Sequence, residues 1–307
     1  MPYAPCGAVR LPRPTAKVRP MHIDGSTRIV GVFGAPITHT ASPAMHNAAF
    51  EALEMNWVYL AFHVEPRNLR SALRGAREMG LVGINLTVPH KILALDCVDE
   101  IDPEARKVGA VNTILIDKDR TRGFNTDGYG FLKAVKEDFN LSIKGKRVLV
   151  LGAGGAGRAI AVKCASDGAA KVMVANRTAA RIAPIAREIA GTRSEFQSLA
   201  LSADAIGKVI QEADLVVNAT SVGLAEGDSL GLGPKLFAPR QHVYDTIYRP
   251  AETELLRAAE GAGAKVANGL SMLLHQGAKS FEIWTKRKAP LAVMRRALRT
   301  AIYGDKS

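Results

Sequence analysis

The chain has 307 residues, 47% apolar and 23% charged, with a formal net charge of +12. This length and balance suit two globular domains and exclude wholesale disorder; no uninterrupted apolar run is long enough for a membrane-spanning helix. The charge is terminal: residues 1–28 hold five basic side chains against Asp24, residues 286–307 hold seven against Asp305, and the body between is nearly neutral. Basic ends without an aromatic-interleaved basic face exclude a specific nucleic-acid partner. Cys6, Cys97 and Cys164 are odd in number and far apart, which argues against a disulfide framework or a zinc site and fits a reducing, cytoplasmic setting.

Residues 1–26 contain Pro2, Pro5, Pro12, Pro14 and Pro20 and no hydrophobic signal region. They read as a disordered extension, or as an upstream start with the functional start near Met21. From Thr27 the pattern becomes periodic. RIVGVFG reads as a strand. SPAMHNAAFEALEM reads as a helix capped by Ser42, with Pro43 in the first helical position. His39 and His46, seven apart, could share a helix face, but nothing joins them as ligands. WVYLAFHV is a strand, NLRSALRGAREMG a helix closed by glycine, and LVGINLT another strand. A helical piece starts at Lys91, and VNTILID and RTRGFN are strands around a KD turn.

After Asp127, strands and helices alternate regularly. The strands are RVLVLG, KVMVANR, EFQ, DLVVNAT, HVYDTI and KVAN, followed by the helices GLSMLLHQGAKSFEIWTK and APLAVMRRALRTAIYG. The spacing predicts an α/β protein: an N-terminal α/β domain and a doubly wound, Rossmann-type parallel sheet.

VLVLGAGGAGRAIAV fits G-x-G-x-x-G at Gly152, Gly154 and Gly157, between a strand and a helix. Such a turn lets backbone amides reach a pyrophosphate at a helix N-terminus; the alternative is a plain glycine-rich turn. The next strand ends in Asn176-Arg177-Thr178, with Arg181 following, and no carboxylate stands there to hold a ribose 2′-hydroxyl. Two guanidinium groups, with Thr178 able to cap the new helix, suit a 2′-phosphate and so NADP. The alternative is two solvated arginines. In NLTVPHK, Lys91 emerges just past Pro89 at a helix start, where the helix dipole disfavours a cation. In GFNTDGYG, Asp127 sits at the predicted domain junction, although the stretch alone is an ordinary Asx turn. Asn112 in KVGAVNT reads equally well as a turn asparagine. Thr40 and Ser42 in HTASP could hold an anion, but on that stretch alone helix capping is favoured.

Together these stretches resemble the shikimate dehydrogenase (shikimate/quinate dehydrogenase) family. The resemblance runs from about residue 28 to 285 through GAPITHTASP, NLTVPHK, GAVNT, FNTDG, GAGGAGRA, NRT, NATSVG, YDTIYRPAET and NGLSMLLHQGA, in the family's order. It implies a substrate domain over 27–126, completed by C-terminal helices in 269–307, and a Rossmann NADP domain over 127–268. It implies reversible NADPH-dependent reduction of 3-dehydroshikimate to shikimate, within aromatic amino acid and chorismate biosynthesis, without a metal. Lys91 and Asp127 would be the catalytic pair. Thr40, Ser42 and Tyr248 would hold the substrate carboxylate, and Thr87, Asn112, Asp127 and Gln276 the ring hydroxyls. Gly152, Ala153, Gly154, Gly155, Ala156 and Gly157, with Asn176, Arg177, Thr178 and Arg181, would hold NADP; Thr246, Gly269 and Met272 would line the nicotinamide. The partners implied are a small-molecule substrate and, as the assembly to test, a homodimer, with no membrane. One departure stands out: the family has serine at both positions of the hydroxyl loop, and here the first is Thr40. A quinate or dual quinate/shikimate enzyme, and a non-catalytic nucleotide sensor on the same scaffold, are the alternatives.

Overall fold

The computed structural model describes residues 23–118, 120–225 and 227–304. The proline-rich stretch up to residue 22, the start near Met21, and the last three residues of the basic C-terminus lie outside the described residues.

The elements run β1 (Arg28–Gly34), α1 (Ser42–Ala52), β2 (Trp57–His63), α2 (Leu69–Glu78), β3 (Gly83–Leu86), α3 (His90–Leu93), β4 (Glu100–Ile101), α4 (Pro103–Val108), β5 (Thr113–Ile116) and β6 (Thr121–Phe124). They continue with α5 (Asp127–Phe139), β7 (Arg147–Leu151), α6 (Gly155–Ser166), β8 (Lys171–Asn176), α7 (Ala183–Ala190), β9 (Glu195–Ala200), α8 (Ala203–Gly207) and β10 (Leu215–Asn218). The chain closes with β11 (His242–Asp245), α9 (Glu254–Gly261), β12 (Lys265–Ala267), α10 (Leu270–Thr285) and α11 (Leu291–Tyr303).

The strands form two sheets, ordered β2-β1-β3-β5-β6-β4 and β12-β11-β10-β7-β8-β9. In the first, β1 pairs in parallel with β2 and β3, and β5 is antiparallel to both β3 and β6. The second is parallel throughout, with its order reversing between β7 and β10. Its central strands carry unbroken apolar runs because helices cover both faces: Val148–Leu151, Val172–Ala175 and Leu215–Val217 are buried. This is the predicted doubly wound sheet, and its reversal is where such folds bind ligands.

Local chemistry sets the helix ends. Asp102 accepts from the Glu104 N–H at the start of α4, and Gly109, at φ 65°, closes it in the left-handed conformation. Thr253 caps α9 through the Leu256 N–H. Two expected caps fail. Ser42 is the first helical residue of α1, after Ala41, and makes no capping bond; its own N–H donates to Thr40 Oγ1 at 3.3 Å. Thr178 precedes a single 3-10 turn at Ala179–Arg181 and caps nothing with its side chain. His39 lies before α1, so it shares no helix face with His46. Among the described residues no helix is long and apolar enough to cross a membrane.

α10 is buried on more than one side, from Ser271 to Trp284, because it lies in contact with α5, α1 and α11. The approach to α5 is close: a Cβ on Gly130 would meet Gln276 Cβ at 2.8 Å and Met272 O at 2.9 Å.

Candidate active site

β3 ends at Leu86, and the chain turns through Thr87, Val88 and Pro89. The Thr87 N–H donates to Phe33 O (3.0 Å), and Thr87 O accepts from the His90 N–H (2.8 Å). The His90 ring is buried and its Nε2 meets Val64 O at 2.8 Å, anchoring the turn. Lys91 is therefore the second residue of α3, and its carbonyl accepts from the Val111 N–H at 2.7 Å. From there Lys91 Nζ donates to Asp127 Oδ2 at 2.7 Å.

Asp127 is 3% exposed and opens α5. The N-terminal dipole of a 13-residue helix favours a carboxylate in that place. Oδ1 is used too: Asn112 Nδ2 donates to it at 2.9 Å. The amide orientation of Asn112 is fixed, because its Oδ1 accepts from the Thr126 N–H at 2.8 Å, leaving Nδ2 for Asp127, Thr126 Oγ1 (2.9 Å) and Gln276 Oε1 (3.3 Å). The dipole reading of Lys91 needs correction. α3 is one turn long, so its end carries little summed dipole; the restraint on the ammonium is Asp127.

A second buried polar chain reaches toward the hydroxyl loop. Tyr59 OH donates to Asn85 Oδ1 at 2.8 Å; burial pushes its phenol up, and the neighbouring Ser42 side chain opposes that. Asn85 Nδ2 donates to Ser280 Oγ (3.0 Å), Thr113 Oγ1 (3.1 Å) and Asn112 O (3.1 Å). Tyr59 is thus joined, through the side chains of Asn85 and Thr113, to Asn112, which holds Asp127. The sequence reading missed Tyr59, Asn85 and Ser280. A signal was there: two polar groups on strands whose neighbours are apolar, and a serine within an apolar helix stripe.

A cleft of about 1110 Å³ opens at the carboxyl ends of β7 and β10, above the ~300–1,000 Å³ common for small-ligand sites. Gly154, Gly155 and Ala156 form one wall, Thr220, Thr246 and Tyr248 another, and Pro36, His39 and Val88 close it from the first sheet. Lys91 stands at its edge: a Cβ on Gly155 would lie 3.0 Å from Lys91 Cδ. Two of the glycines, Gly152 and Gly157, are required sterically, while a Cβ on Gly154 would meet nothing within 4 Å. Gly152 has φ 105°, and a Cβ on Gly157 would collide with Gly152 O. Asn176 braces the turn, accepting from the Ala153 N–H (3.0 Å) and donating to Thr178 O (2.9 Å).

The remaining expected residues divide clearly. Arg177, Thr178 and Arg181 are exposed beyond the end of β8 and outside this cleft. Gly269 packs so tightly that a Cβ would collide with Thr246 O, and Met272 is buried beside Gly130. Thr87 lies over Gly34, its Cγ2 2.5 Å from where a Cβ there would stand. Among the described residues, no side-chain hydrogen bond ties Thr40, Thr87 or Tyr248 to the Lys91–Asp127 pair. A further network shapes the wall: Asn218 Nδ2 and the Ile247 N–H donate to Asp245 Oδ1 (both 3.0 Å), and Thr253 Oγ1 donates to Oδ2 (2.7 Å). Burial raises the Asp245 carboxyl, and these three donors oppose the rise.

Residues 32–114 match the shikimate dehydrogenase substrate binding domain, 133–224 shikimate/quinate 5-dehydrogenase, and 269–299 the shikimate 5'-dehydrogenase C-terminal domain. A shikimate dehydrogenase (NADP+) of Methanopyrus kandleri is 43% identical over 283 residues, 90% of this chain and 96% of that protein. The chain belongs to the shikimate dehydrogenase family. Solved shikimate dehydrogenases agree in fold. One in complex with NADP+ is 38% identical, with a TM-score of 0.83 over 92% of this chain and 98% of its own. The Thermus thermophilus shikimate dehydrogenase in complex with NADP(H) and shikimate is 39% identical, with a TM-score of 0.80 over 90% of this chain and 100% of its own.

Proposed function

We propose that the protein catalyses the reversible, NADPH-dependent reduction of 3-dehydroshikimate to shikimate, an oxidoreductase step of aromatic amino acid biosynthesis. The observation that carries this reading is the Lys91–Asp127 pair, closed at 2.7 Å and touching the glycine turn through Gly155. Hydride transfer to a ring carbonyl leaves an oxygen that needs a proton. A lysine ammonium oriented by a buried carboxylate can stabilise that oxygen and supply the proton. NADPH supplies the hydride when bound. Gly152–Gly157 would hold its pyrophosphate, Arg177, Thr178 and Arg181 its 2′-phosphate, and Thr246, Gly269 and Met272 its nicotinamide end. Asn112, Gln276, Thr87 and Asp127 would hold the ring hydroxyls, with Thr40, Ser42 and Tyr248 around the carboxylate. No metal is needed in this scheme.

The first sheet with α10 and α11 serves as the substrate unit, and the parallel sheet as the nucleotide unit; the separate strand orders support that division at about residues 126 and 268. The free Cys97 and Cys164 suit a reducing cytoplasm. The test is NADPH oxidation with 3-dehydroshikimate, set against quinate oxidation with either cofactor. Quinate turnover above that of shikimate would replace this reading with a quinate enzyme, an outcome that Thr40, with its one added methyl, leaves open. Tight NADPH binding without turnover of either acid would make the chain a sensor.

A further inference from the structure

α2 buries Leu69, Leu73 and Ala76 and turns a different stripe outward: Arg70, Arg74 and Arg77, at spacings of four and three residues. Like charges so placed are helix neighbours and repel, each pair costing a few tenths of a kcal/mol. The neighbourhood offsets little of this. Arg77 forms an ion pair only with the adjacent Glu78, at 3.4 Å, and attracts Asp99 more weakly, and Arg74 makes no ion pair or hydrogen bond with any described residue. Arg70 donates to a backbone carbonyl, that of Asp96.

The three arginines do not stand on a flat face. With Leu73, Cys97, Asp99 and Thr121 they line a concavity of about 220 Å³, away from the cleft between the sheets. Asp99 is the one carboxylate in its lining, and it is already engaged. The Thr121 N–H and Oγ1 donate to its Oδ2 at 2.7 and 2.8 Å, which holds its carboxyl below the usual range. Three guanidinium groups therefore share one walled space with a single carboxylate, whose hydrogen-bond donors come from Thr121 and which faces Arg77 only through a weaker attraction.

We propose that this concavity is a binding site for a small phosphate-class dianion, either free phosphate or the phosphoryl end of a phosphomonoester. Guanidinium groups match phosphate oxygens in pairs, and a dianion relieves the repulsion along the helix. The site is separate from the nucleotide turn and independent of the reading of Lys91. Its position gives it something to act on. Cys97 Sγ lies 3.4 Å from Leu93 O, and Asp96 is held by Arg70, so the concavity abuts the far end of the short segment that begins with His90 and Lys91. An anion drawing Arg70 toward itself competes with the Asp96 carbonyl.

Cys97 gives a local reporter, since it is half-buried in the wall while Cys164 is fully buried. In a Cys6→Ser background, with NADP+ saturating and ionic strength held with potassium chloride, the rate of Cys97 alkylation is measured against inorganic phosphate and against phosphoserine. Saturable protection is expected, with the half-protecting concentration raised about tenfold in Arg74→Ala and partly restored in Arg74→Lys. Unchanged dehydrogenase activity in both variants shows that they are folded. Tighter protection by phosphoserine than by phosphate assigns the site to a phosphomonoester; the reverse assigns it to free phosphate. Absence of protection, or equal protection in Arg74→Ala, overturns the site. Protection by heparin or duplex DNA where phosphate has no effect overturns the small-ligand assignment in favour of a polyanionic macromolecule.

Discussion

The side-chain stem of Lys91 lies directly over Gly155, where an added Cβ would stand 3.0 Å from Cδ and 3.1 Å from Cβ of the lysine. The first residue of the nucleotide-binding helix and the proposed proton donor therefore share one surface. A Gly155→Ala substitution must shift the lysine by some tenths of an ångström. We expect kcat to fall at least about tenfold with the melting temperature nearly unchanged. Steady-state kinetics check this; a wild-type kcat would show that Gly155 does not set the position of Lys91.

Lys91→Ala removes the ammonium. The expected result is a kcat lowered by orders of magnitude with a modest change in KM, the mark of a transition-state role. A near-normal kcat would end the assignment of Lys91 as acid.

Asp127→Asn keeps the shape and the bond with Asn112 but leaves a half-buried lysine without its counter-charge. Turnover should drop about 10²-fold, and KM for the ring acid should rise. If neither parameter moves, Asp127 is only the first residue of α5.

Arg177 and Arg181 are solvent-facing and form no ion pair among the described residues. Replacing either by alanine should raise KM for NADPH by about tenfold and leave KM for NADH almost unchanged. Equal effects on both cofactors would remove the 2′-phosphate from these side chains.

His46 is 0% exposed, stacks on Tyr59 at 4.3 Å between centroids, and has neither ring nitrogen hydrogen-bonded. Burial lowers its pKa from 6.5 to about 3. Between those values the unfolded chain binds a proton that the folded chain refuses. Stability from this residue is complete above pH 6.5 and declines as pH falls toward 3, by up to about 1.4 kcal/mol per unit. His46→Phe should flatten that part of a stability–pH curve measured by urea unfolding. An identical acid slope in the variant would place the effect in other groups.

Much of this was readable from order and spacing. The inner strands of the parallel sheet, β7, β8, β10 and β11, announce themselves because they are buried on both faces and so carry apolar runs between turn residues, whereas the edge strands β9 and β12 are partly exposed and carry a weaker pattern. The glycine turn, Lys91 and Asp127 were legible because their residue types are constrained by sterics and charge. What stayed hidden depends on partners far away in sequence. Nothing near Ser42 shows that its hydroxyl makes no capping bond to α1. Nothing near Thr178 shows that the chain makes only a 3-10 turn after it. Asn85 meets Ser280 across 195 positions, a contact that no local pattern contains.

The close seam between α5 and α10, where Gly130 admits Gln276, has a consequence for recombination. The cleft takes its walls from both sheets, and α5 and α10 fit together without a methyl group to spare. A hybrid joining one half of this chain to the other half of a relative would be expected to keep both ligands' affinities and lose turnover, unless both sides of that seam came from the same parent.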